Sequence, residues 1–295
     1  MQALSTCKRI MFKNILLTTD FSEASAVALP YAAALTRQYG GTLFTVHAID
    51  PEPHLGVPLD PLPAELDSTR LKALKSLNTF IDPIKSSKVQ HVEILERGDC
   101  WPVILDAIKN ENIDLVFAGT HGRHGIKRLV LGSTAEQIFR HCDCPVITVG
   151  PRVPRLDGND WKPKRILFPT DGSEASLSAL PYALSLADEN EASLLFLQLL
   201  PFVPNEYREG DEAIQREALR KLVPADAEAW CTPEFIVRFD FPGSGIVRVA
   251  SERDADLIVM SVRRYSENNP GGRRPWAVSS QVVREARCPV LTVRS

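Results

Sequence analysis

The sequence predicts an α/β protein built from two tandem doubly wound domains, each a five-stranded parallel sheet with helices on both faces. An internal repeat is the first observation behind this prediction. Thr19–Ser25 recurs 151 residues later as Thr170–Ser176, and Cys144–Val149 recurs as Cys288–Val293. The second observation is that short, uninterrupted apolar segments alternate with helical patterns in each copy, which is typical of a parallel sheet covered on both faces.

The length of the repeat sets the domain organisation. Repetition over about half the chain indicates two duplicated domains, because the units of a solenoid are far shorter. The domains are residues 1–151 and 164–295. The linker is residues 152–163, where proline, glycine, aspartate and asparagine outnumber apolar residues.

The first elements of copy one follow from hydrophobic periodicity. A continuous apolar run predicts a strand at 14–18, and a helical pattern predicts a helix over 22–37. A second apolar run predicts a strand at 42–48. A proline-rich loop at 50–63 follows, and leucines at every third position predict a helix at 64–80.

The same reading predicts the remaining elements of this copy. A strand is predicted at 89–96, and a helix at 102–110 leads to a strand at 114–120 with an apolar centre. A helix at 133–141 and a strand at 146–149 close the copy. Each copy therefore supplies five strands.

Two further expectations concern proline and assembly. Pro30 and Pro181 fall inside the first helix of each copy, where we expect a kink. The closing strands, 146–149 and 290–293, are apolar, and exposed apolar edges invite pairing. We therefore expect the two halves to pair within the chain as a pseudo-dimer. We also expect whole chains to form a homo-oligomer and to bind a protein partner that the sequence does not identify.

Composition excludes several classes of protein. The chain has 34 basic and 37 acidic residues and a net charge of −3, so no overall positive field attracts nucleic acid or an anionic membrane. Six cysteines are too few for a disulfide framework. No apolar run reaches the roughly 18 residues of a membrane helix, and Lys13 interrupts the apolar N-terminal stretch. We expect a cytoplasmic protein with no nucleic-acid or membrane partner.

Candidate binding residues of copy one lie where its strands end, because ligands of open α/β sheets sit beyond the carboxyl ends of the strands. A carboxylate there can accept from ribose hydroxyls. Glycines let backbone amides approach an oxyanion, and a helix N-terminus favours negative charge. The candidates are Thr18, Thr19, Asp20, Val46, His47, Gly119, His121, Gly122, Gly132, Ser133 and Thr134.

Four of these candidates form a spaced motif. Gly119, Gly122, Gly132 and Ser133 fit G-x-x-G, nine residues, then G-S or G-T. With its surroundings at 119–149, this motif resembles the ATP-binding branch of the universal stress protein family. The resemblance covers nearly the whole chain as a tandem pair. It implies an adenine nucleotide alpha hydrolase-like fold and ATP as the ligand, with Mg²⁺ as an option.

The resemblance also implies a role for each position. Asp20 contacts the ribose, and the adenine lies against the end of the second strand near Val46 and His47. The residues that surround the phosphates are Gly119, His121, Gly122, Gly132, Ser133 and Thr134.

The second copy keeps Asp171 but departs from the motif. The four motif positions become Ser261, Arg264, Trp276 and Ala277. Two interpretations stay open: this half is a packing partner with a filled pocket, or it binds a different ligand. The basic cluster around Arg263 and Arg273 is either a solvated face or a site for an acidic ligand or partner.

Catalytic and metal motifs are missing from the sequence. It contains no serine-hydrolase elbow, P-loop or dinucleotide-binding fingerprint, and no second carboxylate or water-activating base at the phosphate end. A single Cys-x-Cys at 142–144 lacks the paired clusters of a zinc site. We expect no metal site and at most weak ATP hydrolysis.

The predicted function is that of an ATP-binding protein acting in stress response or signalling through nucleotide-dependent interactions. The alternatives are a slow ATPase and a ligand-independent interaction protein, with a non-nucleotide ligand in the second domain.

Overall fold

The computed structural model divides the chain into two compact units. The first unit contains the described parts of Phe12–Cys144 and Arg155–Trp161, and the second contains residues 9–11, Pro145–Pro154 and the described parts of Lys162–Ser295. The residues that the structure describes are 9–49, 63–120, 132–156, 158, 160–201, 208–223, 231–263 and 277–295.

The first unit is an α/β layer structure with parallel strands in the order β3-β2-β1-β4. Strand β1 is central, and its Leu16 pairs with Phe44 on one side and Val116 on the other. Its strands are β1 (Asn14–Thr18), β2 (Thr42–Ile49), β3 (Gln90–Arg97) and β4 (Leu115–Gly119), and its helices are α1 (Glu23–Tyr39), α2 (Pro63–Lys85), α3 (Cys100–Asn110) and α4 (Ser133–His141).

The second unit has the strand order β5-β10-β9-β6-β7-β8, in which only the β5–β10 pair is antiparallel among the described pairs. Its strands are β5 (Val146–Val149), β6 (Arg165–Pro169), β7 (Ser193–Leu200), β8 (Pro233–Phe239), β9 (Leu257–Val262) and β10 (Val290–Arg294). Its helices are α5 (Glu174–Leu177), α6 (Leu180–Asn190), α7 (Arg208–Arg220), α8 (Pro242–Glu252) and α9 (Ala277–Glu285).

The predicted α/β fold is therefore confirmed, and within the residues that the structure describes each copy contributes five strands. The central strands are almost fully buried, and most of the side chains that they bury are apolar, as expected for a sheet covered on both faces. No described helix is long and apolar enough to cross a membrane.

The predicted pairing of the two closing strands is confirmed within the second unit. Leu291 of β10 pairs with Ile147 of β5. Thr148 donates from Oγ1 to the carbonyl of Val290 at 3.2 Å, and Thr292 donates to the carbonyl of Val146 at the same distance. These reciprocal hydrogen bonds give the strand pair a local two-fold symmetry.

One repeated carboxylate anchors the start of the first strand in each copy. Asp114 accepts hydrogen bonds from the backbone N–H groups of Lys13 and Asn14, the shorter being 2.7 Å. Asp256 accepts from Lys164 and Arg165 at 2.8 and 2.9 Å. Burial raises the pKa of Asp114, although these backbone hydrogen bonds oppose the shift. The segment Asp114-Leu115-Val116 recurs as Asp256-Leu257-Ile258, so its aspartate has the same structural role in both copies.

The two prolines occupy different positions in their helices. Pro30 lies inside the continuous helix α1. The corresponding stretch of copy two is split into α5 and α6, and Pro181 lies in the first turn of α6. The expectation of a kinked helix at Pro181 is wrong, because a first-turn proline needs no intrahelical hydrogen bond and begins a helix instead.

Candidate functional site

The candidate residues of copy one gather at the carboxyl edge of the first unit's sheet. Strand β1 pairs with both β2 and β4, so Thr18 lies beside Val46 and beside Ala118. The chain therefore leaves β1, β2 and β4 at the same edge. The strand order also reverses direction between β1 and β4, which is where open α/β sheets form their ligand crevice.

A hydrogen-bonded turn holds Asp20 directly after β1. The N–H of Thr19 continues the sheet to the carbonyl of Val46 at 3.0 Å, and its hydroxyl accepts from the N–H of Phe21 at 2.9 Å. Oδ1 of Asp20 accepts from the N–H of Ser22 at 3.0 Å and lies 3.4 Å from the hydroxyl of Ser25. These contacts fix one carboxylate oxygen, and a carboxylate has lone pairs for further donors.

His47 is oriented by the same turn. Its Nδ1 lies 2.8 Å from the carbonyl of Thr19, and since a carbonyl only accepts, Nδ1 carries the proton and Nε2 can accept. The ring of Phe21 lies 4.2 Å from the His47 ring, centroid to centroid. Phe21 has a φ of 63°, a left-handed conformation that is rare for a residue with a side chain. Val46, by contrast, is buried in the sheet.

Gly119 is required by helix packing. A Cβ at this position would lie 2.8 Å from the backbone carbonyl of Ala24 and 2.9 Å from the N–H of Ser25. Only glycine lets β4 end this close to the first turn of α1. That turn follows Asp20 directly, so Gly119 brings the ends of β1 and β4 together.

Helix α4 begins at the end of β4. The N–H of Gly132 donates to the carbonyl of Thr120 at 2.8 Å, which anchors the helix start beside the strand. Gly132 is the N-cap residue and has no side chain to accept from the amides of the first turn, which lack intrahelical partners. Ser133 is exposed, and the hydroxyl of Thr134 donates to Sγ of Cys100 at 3.4 Å. His121 and Gly122 lie outside the described residues.

The second copy forms the same turn, and there the aspartate pairs with an arginine. Oδ1 of Asp171 accepts from the N–H of Ser173 at 3.0 Å, as Asp20 does from Ser22. Nη2 of Arg263 lies 3.1 Å from Oδ2 of Asp171. Burial opposes ionisation of Asp171, but hydrogen bonds from Ser173 and Ser176 and the charge of Arg263 outweigh it and lower the pKa. Arg264 and Trp276 lie outside the described residues.

Sequence reasoning missed three contributors to these turns. Phe21 is the one residue that differs between the repeated segments, where copy two has Gly172 at a φ of 76°. Ser25 recurs as Ser176, and its repetition was a usable signal. Arg263 stood in a basic cluster, but nothing local in the sequence indicated its pairing with Asp171.

The described part of the chain contains no group of three or more His, Cys, Asp or Glu side chains placed to hold a metal ion. Among the described residues, the candidate site offers the Asp20 carboxylate, the His47 imidazole, hydroxyl groups and backbone amides. Such groups can bind a polar ligand carrying hydroxyls and negative charge.

Comparisons with known proteins agree with this architecture. The model of a family described as the universal stress protein family matches residues 11–150 and, a second time, residues 162–294. A universal stress protein of Methanocaldococcus jannaschii is 30% identical over 144 residues, which are 47% of this chain and 82% of that protein. One from Thermus aquaticus is 31% identical over 140 residues, covering 47% of this chain and 99% of its own.

A solved structure matches both halves together. The crystal structure of a universal stress protein from Archaeoglobus fulgidus aligns with a TM-score of 0.70 and covers 95% of this chain and 98% of its own. The sequences are 19% identical, so this likeness concerns the fold.

Proposed function

Because the chain belongs to the universal stress protein family, with one family domain in each half, we propose that its first copy binds an adenine nucleotide. The ligand is ATP, with or without Mg²⁺. Its binding changes how the chain associates with itself and with a protein partner in stress response or signalling. The site residues are Thr18, Thr19, Asp20, Val46, His47, Gly119, His121, Gly122, Gly132, Ser133 and Thr134.

One observation carries this proposal: Asp20 and the start of α4 follow two paired strands of one sheet. Asp20 directly follows β1, and Gly132 is hydrogen-bonded to Thr120 at the end of β4. A carboxylate can accept from both ribose hydroxyls, while amides at a helix N-terminus bind phosphate oxygens with the favourable end of the helix dipole. The sheet edge thus offers a ribose-binding group and a phosphate-binding group in adjacent positions.

An aromatic surface that could bind the adenine ring lies near Asp20. The imidazole of His47 is held by Thr19 and lies against Phe21, so an aromatic pair stands at the end of β2. Aromatic faces stack with nucleobases, and Nε2 of His47 can accept a hydrogen bond from an exocyclic amine. Adenine fits both contacts.

The second copy supports a single nucleotide site per chain. Arg263 already pairs with the carboxylate of Asp171, and Ala277 stands where copy one has Ser133. In copy two a cation therefore competes with a ribose for the carboxylate, and one hydroxyl donor is missing. We expect about one ATP per chain.

Titration calorimetry with ATP on matched variants tests the proposal. Asp20→Asn keeps an acceptor for the N–H of Ser22 but loses the charge, and we expect affinity to fall more than tenfold, or about 1.4 kcal/mol. Asp171→Asn is the control and should leave both affinity and stoichiometry unchanged. Ser133→Ala should weaken binding by only about 0.5–1.5 kcal/mol, since the helix amides remain.

Three results would contradict the proposal. One is no binding of ATP by the folded chain, and another is two equivalent sites. The third is an equal loss of affinity in Asp20→Asn and Asp171→Asn.

A further inference from the structure

Two cysteines face each other just after α4. Cys142 is the C-cap residue of that helix, and its backbone N–H donates to the carbonyl of Ile138 at 2.9 Å. Sγ of Cys142 lies 3.1 Å from Sγ of Cys144. Cys142 is only 4% exposed, whereas Cys144 is partly accessible. The intervening Asp143 is exposed, so the two thiols share one side of a short connection into β5.

The second copy carries only half of this arrangement. Cys288 occupies the position of Cys144, but Ala286 stands where copy one has Cys142. Cys288 and Ala286 are both buried, so the position that corresponds to Cys142 packs well with an alanine side chain. Packing of the connection therefore explains Cys144 and Cys288 but leaves Cys142 unexplained.

We propose that Cys142 and Cys144 form a reversible dithiol–disulfide pair that is oxidised by low-molecular-weight disulfides of the glutathione class. A disulfide bond is about 2.05 Å long, so the sulfur atoms need to approach by only roughly 1 Å. The ring closed by a Cys-x-Cys disulfide is small and strained. Strained disulfides have less negative reduction potentials, which makes them labile and suits a reversible role. Oxidation of this pair does not require the nucleotide binding proposed above.

The reaction proceeds by two thiol–disulfide exchanges. Cys144, the accessible thiol, loses its proton and attacks one sulfur of the small disulfide, which forms a mixed disulfide and releases one thiolate. Cys142 then loses its proton and attacks Sγ of Cys144, which closes the internal bond and releases the second thiolate. The two protons go to the two released thiolates, so one small disulfide is reduced to two thiols as the pair is oxidised.

The surroundings set the rate of this reaction. The hydrogen bond with Cys142 and burial raise the pKa of the Cys144 thiol. The thiolate is the attacking species, so oxidation is slow at neutral pH and accelerates as pH rises.

Mass spectrometry of the full-length chain tests the proposal. The reduced protein is equilibrated with excess oxidised glutathione, quenched with acid and alkylated. We expect the tryptic peptide 141–152 to lose two hydrogens and take up no alkylating agent, and reduced glutathione to restore both thiols. Cys144→Ser and Cys142→Ala, the latter copying Ala286, should abolish the internal bond. Cys288→Ser is the matched control and should keep it.

The proposal fails if both cysteines of the folded wild-type protein remain alkylatable under these conditions. It also fails if they carry glutathione without an internal bond, or if they link only between chains. These results concern the wild-type chain, so they decide the question even where a variant does not fold.

Discussion

The guanidinium group of Arg263 lies 3.1 Å from the carboxylate of Asp171, the counterpart of Asp20 in the second copy. The same nitrogen also lies 3.4 Å from the hydroxyl of Ser173, so the arginine closes over the turn that follows β6. In copy two an intrachain cation thus occupies the carboxylate that copy one presents at its sheet edge. Copy two thus combines the loss of the glycine motif with an ion pair at the carboxylate that corresponds to Asp20.

Arg263→Ala should raise the pKa of Asp171 toward its ordinary value of 3.8. A folded-state pKa below the unfolded one stabilises the fold above the unfolded pKa, and this stabilisation is lost as pH falls through the folded pKa. The variant should therefore be less stable near neutral pH, by under about 1 kcal/mol because the pair is exposed. The difference should vanish at pH values below the folded pKa.

NMR titration of the Asp171 carboxyl carbon and urea unfolding at two pH values measure these effects. Arg263→Lys keeps a positive charge and should show a smaller shift. An unchanged Asp171 pKa in Arg263→Ala would show that the charge of Arg263 does not contribute to lowering it.

Gly119→Ala should destabilise the first copy whether or not a ligand is present. The added Cβ would lie 2.8 Å from the backbone of Ala24, and backbone cannot move aside as a flexible side chain can. We expect a loss of about 1–3 kcal/mol, as for other overpacked sites. Ser261→Ala at the corresponding place in β9 is the control and should change stability little, because that position already carries a Cβ. Equal urea midpoints for Gly119→Ala and the parent would refute this.

Most of the fold could be predicted from the sequence because its signals are local. Helix α4 begins and ends where its pattern predicts, at Ser133 and His141. The split of the copy-two helix before Pro181 was not predictable, since the same Ala-Leu-Pro-Tyr-Ala motif lies within an unbroken helix in copy one. The break falls at Ser178 and Ala179, and copy one has Val27 in place of Ser178, so the repeated motif alone does not determine the local structure.

The candidate site was predictable in its position but not in its internal contacts. The sequence predicts Asp20 at the end of the first strand and Gly132 at the start of the last helix of copy one, because strand ends and helix starts are visible in the hydrophobic pattern. The close approach of Gly119 to α1 and the pairing of Arg263 with Asp171 join residues distant in sequence. Such contacts depend on the folded geometry, and the hydrophobic periodicity of one copy does not predict them.

Cysteines introduced at Thr148 and Val290 should form an intrachain disulfide on mild oxidation. These residues are direct partners in the antiparallel β5–β10 pair. Directly opposed Cβ atoms lie about 4.5–5.5 Å apart, near disulfide range, whereas diagonal neighbours lie about 7–8 Å apart. Cysteines at Thr148 and Thr292, which are diagonal, should crosslink far more slowly. Equal rates for the two pairs, measured by non-reducing mass spectrometry, would show that the register is wrong.

Substitutions at Phe21 can compare the cost of its left-handed backbone with the stabilisation from its aromatic contacts. Its φ of 63° costs a residue with a side chain about 1–2 kcal/mol, whereas glycine adopts this conformation freely. The strain is offset by contacts with His47 at 4.2 Å and Phe80 at 6.0 Å between ring centroids. Phe21→Ala loses the contacts and keeps the strain, while Phe21→Gly loses both.

We therefore expect Phe21→Gly to be more stable than Phe21→Ala by about 1 kcal/mol, the reverse of the usual order for these two residues. Gly172→Ala in copy two is the matched variant. A Cβ at Gly172 would meet nothing within 4 Å, so its substitution isolates the cost of the φ of 76°. That variant should lose about 1 kcal/mol in urea unfolding. If Phe21→Ala proved as stable as Phe21→Gly while Gly172→Ala was destabilised, the turn at Phe21 would have to relax out of its left-handed conformation once the ring is removed. The aromatic contact with His47 would then be what holds the backbone in place beside Asp20.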